Sequence, residues 1–241
     1  MNSLRSVSIS RRLWLILIVA VVMLLTLGVL MLKQIHDDLY QAKRQQTQHV
    51  VQTASGVLSY YHGLETAGTL TREVAQKQAL SAVRGLRYEQ NDYFWINDLQ
   101  GNMLMHPIKP DLVGKGPDAV RDPNGFLVTQ EAAKAVRSGG KGFLNYIWAK
   151  PGKDKAVGKI SYVQGFEPWG WVVASGLYID DLRDEFLANA AKVAVGVGLV
   201  LLIVGWIAFA ISSTIARGVR YTVEVVDAMA HGDLTVPIHI H

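Results

Sequence analysis

The sequence contains no cysteine, which excludes disulfides and thiolate metal sites and leaves the folded part to be stabilised by its hydrophobic core. Basic and aromatic residues are not interleaved in any stripe, so a nucleic-acid partner is not expected despite a net charge of +4. We recognise no motif with a nucleophile, a base and an orienting residue, and none with two carboxylates paired for acid-base catalysis. We therefore expect no catalytic residue and no cofactor.

Charged residues are absent from two long apolar runs, 13–32 and 193–216. At about 1.5 Å per residue, a helix of either length reaches across the roughly 30 Å hydrocarbon layer of a bilayer. A cleaved signal peptide is the alternative for the first run, but its apolar stretch exceeds the roughly 7 to 15 residues of such peptides and no A-x-A-like site follows. We predict transmembrane helices at 13–32 and 191–216.

Acidic residues are absent from the flank at 1–12, which carries three arginines, and Arg217 and Arg220 follow the second run. Because basic flanks mark the cytoplasmic side, both ends of the chain are predicted to be cytoplasmic. The intervening segment holds 19 basic and 17 acidic residues, and a loop of its length is translocated largely regardless of charge. We expect residues 33–190 to form one domain outside the cytoplasm.

Proline is absent from 33–65, where apolar residues recur mostly at three- and four-residue steps. This spacing predicts one long helix that continues from the first span. Its face with His49, Thr53 and Ala54 has the small or polar residues that are usual where two copies pack side by side, so a homodimer is expected. A helix that packs only on its own domain is the alternative, and both arrangements are compatible on opposite faces.

The rest of the segment combines short helices with strands. Thr71 is a suitable N-cap for a second helix that continues past Leu86 and is ended by Asn91-Asp92. Runs of strands beside helices, without strict alternation, predict an α+β fold with an antiparallel sheet. The other predicted elements are strands at 93–96, 103–108, 142–148, 157–163 and 171–177, a helix at 127–136, and a helix from Asp180 into the second span.

Six motifs follow one another along this segment: NDYFWIND at 91–98, MLMHP at 103–107, GFLNYIW at 142–148, KISYV at 159–163, PWGW at 168–171 and GLYIDD at 176–181. In this order they closely resemble the single Cache sensor family of bacterial chemoreceptors, over nearly the whole segment. One departure is Ser175, because the family more often has a threonine before the glycine. The resemblance implies a PAS-like antiparallel sheet with a long N-terminal helix. It also implies a small pocket for a short organic acid of the acetate, propionate, pyruvate or lactate class.

A short carboxylate needs a cation or several strong donors around its oxygens and a compact apolar wall for its carbons. Tyr93 and Trp95 share a strand face, and His106 donates through either ring nitrogen. The candidate ligand-binding residues are Arg87, Tyr93, Trp95, His106, Tyr146, Lys159 and Tyr162.

Each candidate has a simpler interpretation. The two aromatic residues of the first strand suit an ordinary core. Lys159 is either a solvated strand charge or a buried residue with a partner, and its position beside Ile160 and Tyr162 on a central strand favours burial. Arg87 has Glu89 and Asp92 within reach as ion-pair partners. For His106 a turn or core position is the alternative, and no second histidine or acid lies at ligand spacing, so no metal site is expected.

Beyond the second run, IARGV at 215–219 and MAHGDLT at 229–235 resemble the start of a HAMP signalling module, with Gly218 in place of a usual proline. Residues 217–241 are therefore predicted to be a truncated HAMP module. The two resemblances imply the sensory part of a methyl-accepting chemotaxis receptor in the bacterial inner membrane, with a periplasmic sensor and a downstream chemotaxis kinase complex. The same sensor on a histidine kinase or a diguanylate cyclase is one alternative. A domain that engages a periplasmic binding protein instead of a small ligand is another.

Overall fold

The computed structural model describes residues 9–89 and 91–231. Their contacts form two compact units, Ile35–Leu187 and the described parts of Met1–Gln34 with Ala188–His241. The elements are α1 (Ile9–Thr66), α2 (Arg72–Gly85), β1 (Phe94–Asp98), β2 (Met103–Met105), α3 (Val128–Gly139), β3 (Lys141–Ala149), β4 (Ala156–Phe166), β5 (Trp171–Tyr178) and α4 (Ile179–Ala230). The strands form one antiparallel sheet in the order β2-β1-β5-β4-β3. The α+β prediction is therefore confirmed.

Two of the described helices are long and apolar enough to cross a membrane, judged by length and composition. The stretch Trp14–Thr66 contains an 18-residue window of mean hydropathy 3.2, and Ile179–Asp227 contains one of 2.7. The predicted spans fall inside these helices and stay predictions. Of the predicted HAMP module, residues 217–230 lie within α4, whereas residues 232–241, like residues 1–8, lie outside the described residues.

Several element ends differ from the predictions for local reasons. Thr71 caps α2 by accepting the Val74 N–H, as predicted, but the helix ends at Gly85 because Leu86 is extended. Strand β2 ends at Met105 and not at 108, because Nδ1 of His106 accepts the N–H groups of the residues two and three positions later and turns the chain. A side chain with local backbone partners thus ends β2 early.

One face of the sheet packs against the two helices that precede it. The α1 side chains of Val51, Ala54 and Leu58 are fully buried there. The predicted packing of the long helix on its own domain is confirmed, and Ala54 belongs to this core, whereas His49 and Thr53 are exposed. The homodimer stays a prediction. The core on this face also contains Ala75, Ala79, Val83, Phe94, Ile96, Met105, Tyr162, Phe166, Trp169, Trp171 and Val173.

The opposite face is covered by α3 and by the loop that precedes it. Strand alternation directs Trp95 of β1 to this face, and residues 94 and 96 to the other. Lys159 of β4 is paired with Tyr146 of β3 on one side and with Tyr178 of β5 on the other. This second face collects the polar aromatic groups that form the candidate site.

Candidate functional site

The ammonium group of Lys159 lies in the interior of the domain, with the side chain only 1% exposed. Its Nζ donates to the Tyr178 hydroxyl at 3.3 Å and lies 4.3 Å from the ring centroid of Tyr93, 4.6 Å from that of Tyr178 and 5.7 Å from that of Trp95. Among the residues that the structure describes, no carboxylate pairs with it within 4.0 Å. Lysine is almost never fully buried without such a pair, and ring faces compensate the lost hydration only in part. The position therefore favours an anion.

The indole of Trp95 contributes a second unsatisfied group. Its Nε1 is buried and has no hydrogen-bond partner. Leaving a buried donor without an acceptor costs about 1 to 3 kcal/mol, so this N–H is available to donate to an oxygen of a ligand. The ring lies edge-on to Tyr146, with centroids 6.5 Å apart.

His106 is held as a neutral donor. Its Nδ1 accepts the backbone N–H groups of Ile108 at 3.2 Å and Lys109 at 3.0 Å, so the ring proton of the neutral tautomer resides on Nε2. Burial, with Lys159 and Lys109 nearby, lowers the pKa of His106 to about 3. The ring stays uncharged at every pH between 5 and 8, and it packs against Tyr93 with centroids 5.0 Å apart.

The tyrosine hydroxyls around the lysine are also kept in their neutral, proton-bearing form. The Tyr146 hydroxyl and the Ser161 Oγ are 2.9 Å apart, and the Tyr178 hydroxyl donates to the Ala149 carbonyl at 3.1 Å. Burial raises the pKa of both phenols well above the ordinary value. At neutral pH these two phenols therefore keep their protons and add hydrogen-bond donors beside the cation.

A cavity of about 10 Å³ lies among these groups, close to the smallest volume that holds one water molecule. The polar groups lie on the sheet side, and the wall formed by Met103, Val120 and Val128 is apolar. The complete lining is Tyr93, Trp95, Met103, His106, Val120, Val128, Tyr146 and Trp148. A polar side facing an apolar wall is the arrangement that a short carboxylate requires.

The structure brings together five of the seven residues predicted from the sequence: Tyr93, Trp95, His106, Tyr146 and Lys159. Arg87 lies apart from these residues. It is exposed, and its guanidinium donates to the carbonyls of Arg84 and Leu86 at 2.7 Å. Because it caps the end of α2, Arg87 forms no ion pair with Glu89 or Asp92 among the described residues.

Tyr162 is the second predicted residue that lies elsewhere. It is three positions from Lys159 on β4, so strand alternation turns it to the opposite face, where its ring packs on Phe143 with centroids 4.9 Å apart. Sequence reasoning missed Tyr178, Trp148 and the three apolar wall residues. Tyr178 lies in the GLYIDD motif, but its role depends on β5 pairing with β4.

A second, polar cavity of about 300 Å³ lies on the α1 side of the sheet, at the end of β5. Lys43 of α1 lines this cavity and forms ion pairs with Glu89 at 3.2 Å and with Glu185 of α4 at 3.6 Å. Asp92 also lines it. Burial, with Glu89 and Asp181 nearby, raises the pKa of Asp92 to about 6, although Lys159 and Lys150 oppose the shift. The described residues contain no group of three or more metal-ligating side chains.

This raised pKa predicts an unusual dependence of stability on pH. In the unfolded state Asp92 has the ordinary aspartate pKa of 3.8. Between about pH 4 and pH 6 its carboxyl group therefore binds fewer protons in the unfolded state than in the folded state. The contribution of Asp92 to the free energy of unfolding should therefore fall as pH rises through that window and stay level above it, whereas the lowered pKa of His106 gives a contribution that rises with pH. Because Asp92→Asn removes only the first contribution, its free energy of unfolding at pH 7.5 relative to pH 4.5 should be higher than that of the wild type by about 1 to 3 kcal/mol. Urea unfolding of residues 33–190 at pH 4.5 and 7.5 measures this.

Asp154→Asn is the matched control for that experiment, because Asp154 lies exposed in the β3–β4 turn. The control should follow the wild-type pH profile. If Asp92→Asn also followed it, the raised pKa of Asp92 would be wrong. The fragment is suitable because it contains the compact unit Ile35–Leu187 with both of its cores.

Comparison with known proteins places this geometry in a family. The profile of the family described as Single Cache domain 2 matches residues 39–192. The methyl-accepting chemotaxis protein McpP of Pseudomonas putida is 53% identical over 246 residues, covering 100% of this chain and 45% of that protein. The sensor histidine kinase MctS of Rhizobium johnstonii is 30% identical over 135 residues, covering 56% of this chain and 29% of that protein. The chain thus spans less than half the length of these curated relatives.

Two solved structures share the fold. One, from a study of carboxylic acid recognition by a Cache chemosensory domain, is 56% identical with a TM-score of 0.57, and the match covers 60% of this chain and 98% of that chain. The periplasmic sensor domain of a chemotaxis protein is 44% identical with a TM-score of 0.55, covering 58% of this chain and 97% of that chain. The Cache fold predicted from the six motifs is confirmed, and the chain belongs to the Single Cache domain 2 family.

Proposed function

We propose that the domain at 35–187 is a sensor that binds a short monocarboxylate. The observation that carries the proposal is the buried ammonium of Lys159, which has no carboxylate partner among the described residues. It lies 5.7 Å from the ring centroid of Trp95, whose indole N–H has no acceptor. The ligand carboxylate accepts from these two groups and from the Nε2–H of His106. Its carbons lie against Met103, Val120 and Val128. Charge-assisted hydrogen bonds of this kind are the strong ones.

The cavity is small, and we propose that its ligands are acids of two or three carbons because a longer chain requires a larger displacement of the wall. Every additional methylene has to displace packed side chains, and overpacking a well-filled interior costs about 1 to 3 kcal/mol. Propionate has about five heavy atoms, so a ceiling of about −1.5 kcal/mol per atom gives an affinity no better than about −7.5 kcal/mol. Micromolar binding is thus the best available, which suits a sensor that must release its ligand.

The relatives favour chemotaxis as the output. McpP is named a methyl-accepting chemotaxis protein, and its similarity extends over the whole of this chain, whereas MctS, a sensor histidine kinase, matches only 56% of it. We also propose that the protein lies in the bacterial inner membrane as a homodimer, with spans at 13–32 and 191–216 and a periplasmic sensor. The solved Cache domain from the study of carboxylic acid recognition supports a carboxylic acid as the ligand.

The path of the signal follows from the connection between sheet and helix. Helix α4 begins at Ile179, directly after Tyr178 ends β5, so no flexible linker separates them. Tyr178 contacts the lysine that holds the ligand. Binding shifts α4 by about an ångström or two, and the shift passes to the cytoplasmic HAMP module and a chemotaxis kinase. The same input on a histidine kinase is the alternative, and the output domain decides between them.

Isothermal titration calorimetry of residues 33–190 with acetate, propionate, pyruvate and lactate tests the ligand class. We expect saturable binding of at least one acid, with one site per domain and a dissociation constant in the micromolar to millimolar range. Propionamide is the control, because it keeps the size of propionate but lacks the charge. Equal binding of propionamide, or no heat with any of the four acids, would contradict the proposal.

A further inference from the structure

The segment 120–128 runs from the end of the 3-10 turn Pro117–Ala119 to the first residue of α3, forms one wall of the cavity and is closed on itself. Its two ends, Val120 and Val128, both line the cavity, and the Val128 N–H donates to the Val120 carbonyl at 2.9 Å. Near its tip the ring of Phe126 stacks on Tyr146, with centroids 6.1 Å apart and planes 7° apart. The segment is therefore a compact loop that lies against the site by side-chain contacts.

One carboxylate ties this loop to the sheet. Asp122 is 4% exposed. Its Oδ1 accepts the N–H groups of Asn124 and Phe126 at 2.8 Å, which fixes the turn. Its Oδ2 accepts the N–H of Ile147 at 3.1 Å. That N–H belongs to β3, which is one of the two edge strands of the sheet, so Asp122 satisfies a donor on the open side of the strand.

The size of the cavity requires part of its wall to move. A volume of about 10 Å³ does not hold a ligand of several heavy atoms. Tyr93, Trp95 and Met103 lie on or beside strands β1 and β2, and Tyr146 lies on β3, where ladder hydrogen bonds hold the backbone. The loop 120–128 is not one of the strands that this ladder joins. It is the part of the wall that moves at the lowest cost in hydrogen bonds.

We propose that the loop 120–128 is the lid of the ligand cavity and that Asp122 is the positioning residue that holds it closed. The proposal rests on the ligand site proposed above. A ligand enters and leaves when the bond from Ile147 to Asp122 opens and Phe126 leaves Tyr146. Asp122 itself does not touch the ligand, so it acts on the rates of binding through the lid.

Asp122→Asn is the informative variant, because an asparagine amide has one acceptor oxygen where aspartate has two. The side chain then serves either the turn or Ile147, but not both. Asp98→Asn is the matched control. Asp98 also fixes a turn, with Oδ1 accepting from Gln100 and Asn102 and Oδ2 from the Asn102 amide, but all of its bonds stay within the β1–β2 turn.

Stopped-flow fluorescence of the full chain in detergent micelles, with propionate as the probe, measures the rates. We expect Asp122→Asn to raise the dissociation rate about tenfold or more, as lost hydrogen bonds to a charged group would, and to raise the association rate as well. Asp98→Asn should change both rates less than twofold. An Asp122→Asn chain with wild-type rates would overturn the proposal.

Hydrogen exchange in the absence of ligand provides a second readout that does not depend on the proposed function. The amides of Phe126 and Ile147 should exchange about tenfold faster in Asp122→Asn, while the β5 amides keep their wild-type protection. Unchanged exchange at both positions would overturn the lid even if propionate bound, and faster exchange would support the lid even if no acid bound. Should Asp122→Asn not fold, Phe126→Leu should give the same direction of change by removing the stack on Tyr146.

Discussion

Replacing Lys159 by methionine is expected to abolish binding of short carboxylates while leaving the domain at least as stable as the wild type. Removing one partner of a buried charge pair costs about 2 to 5 kcal/mol of binding free energy, which is roughly a 30-fold to several-thousand-fold loss of affinity. From a best affinity in the micromolar range, binding becomes millimolar or weaker. Calorimetry with the acid that binds the wild type most tightly measures the loss.

The stability of Lys159→Met separates a ligand-binding lysine from a structural one. Without ligand the ammonium is 1% exposed and forms no ion pair among the described residues, so its burial is a cost to folding. Methionine has a similar length and suits a site lined by aromatic rings. Urea unfolding should therefore show an unchanged or higher free energy of unfolding. A destabilised variant that still bound the acid would assign Lys159 to the core alone.

Lys155→Met is the matched control for this variant. Lys155 lies in the exposed turn that leads into the same strand, so the substitution removes an equal charge outside the cavity. Its binding should stay within about twofold of the wild type, since exposed charges contribute little. A similar loss in both variants would mean that overall charge, and not the buried ammonium, governs affinity.

Replacing Gly176 by alanine is expected to give the largest loss of stability, about 3 kcal/mol or more. A Cβ at this position would lie 2.2 Å from the Ser161 Oγ, 2.6 Å from the Ile160 carbonyl oxygen and 2.9 Å from the Ser161 Cα. The hydroxyl can rotate away, but the other two atoms belong to the backbone of β4, which pairs with β5 at this point. The central strands must separate locally, and overpacking of this kind costs 1 to 3 kcal/mol or more.

Urea unfolding of residues 33–190 measures this loss, and Gly63→Ala supplies a control of opposite sign. Gly63 lies on the exposed side of α1 with nothing within 4 Å of the added methyl group, so alanine should stabilise the helix by about 1 kcal/mol. Because Ser161 is two residues from Lys159, Gly176→Ala should also weaken carboxylate binding. A variant of wild-type stability would show that the two strands are not packed as closely as described.

The local patterns of the sequence were sufficient for the elements and the fold class. Each strand prediction overlaps an observed strand, because alternating aromatic and β-branched residues specify a strand within a few neighbours. Thr71 was identified as an N-cap for the same reason, since capping depends only on the following three residues. The burial of Lys159 followed from its apolar neighbours on one strand, and the solvated alternative was wrong.

What the sequence by itself determined is therefore local: two uncharged runs, the helix and strand periods, and the motifs that carry the family resemblance. The tertiary structure alone decided which side chains meet. Alternation fixes the two faces of one strand, but the neighbours of that strand depend on pairing between segments far apart in the chain. Lys159 meets Tyr178 because β4 pairs with β5, and β5 lies beside β1, which brings Trp95 to the same face. Tyr162, in contrast, faces away because it lies three positions from Lys159 on the same strand, which alternation alone requires. Arg87 caps α2 because that helix ends at Gly85.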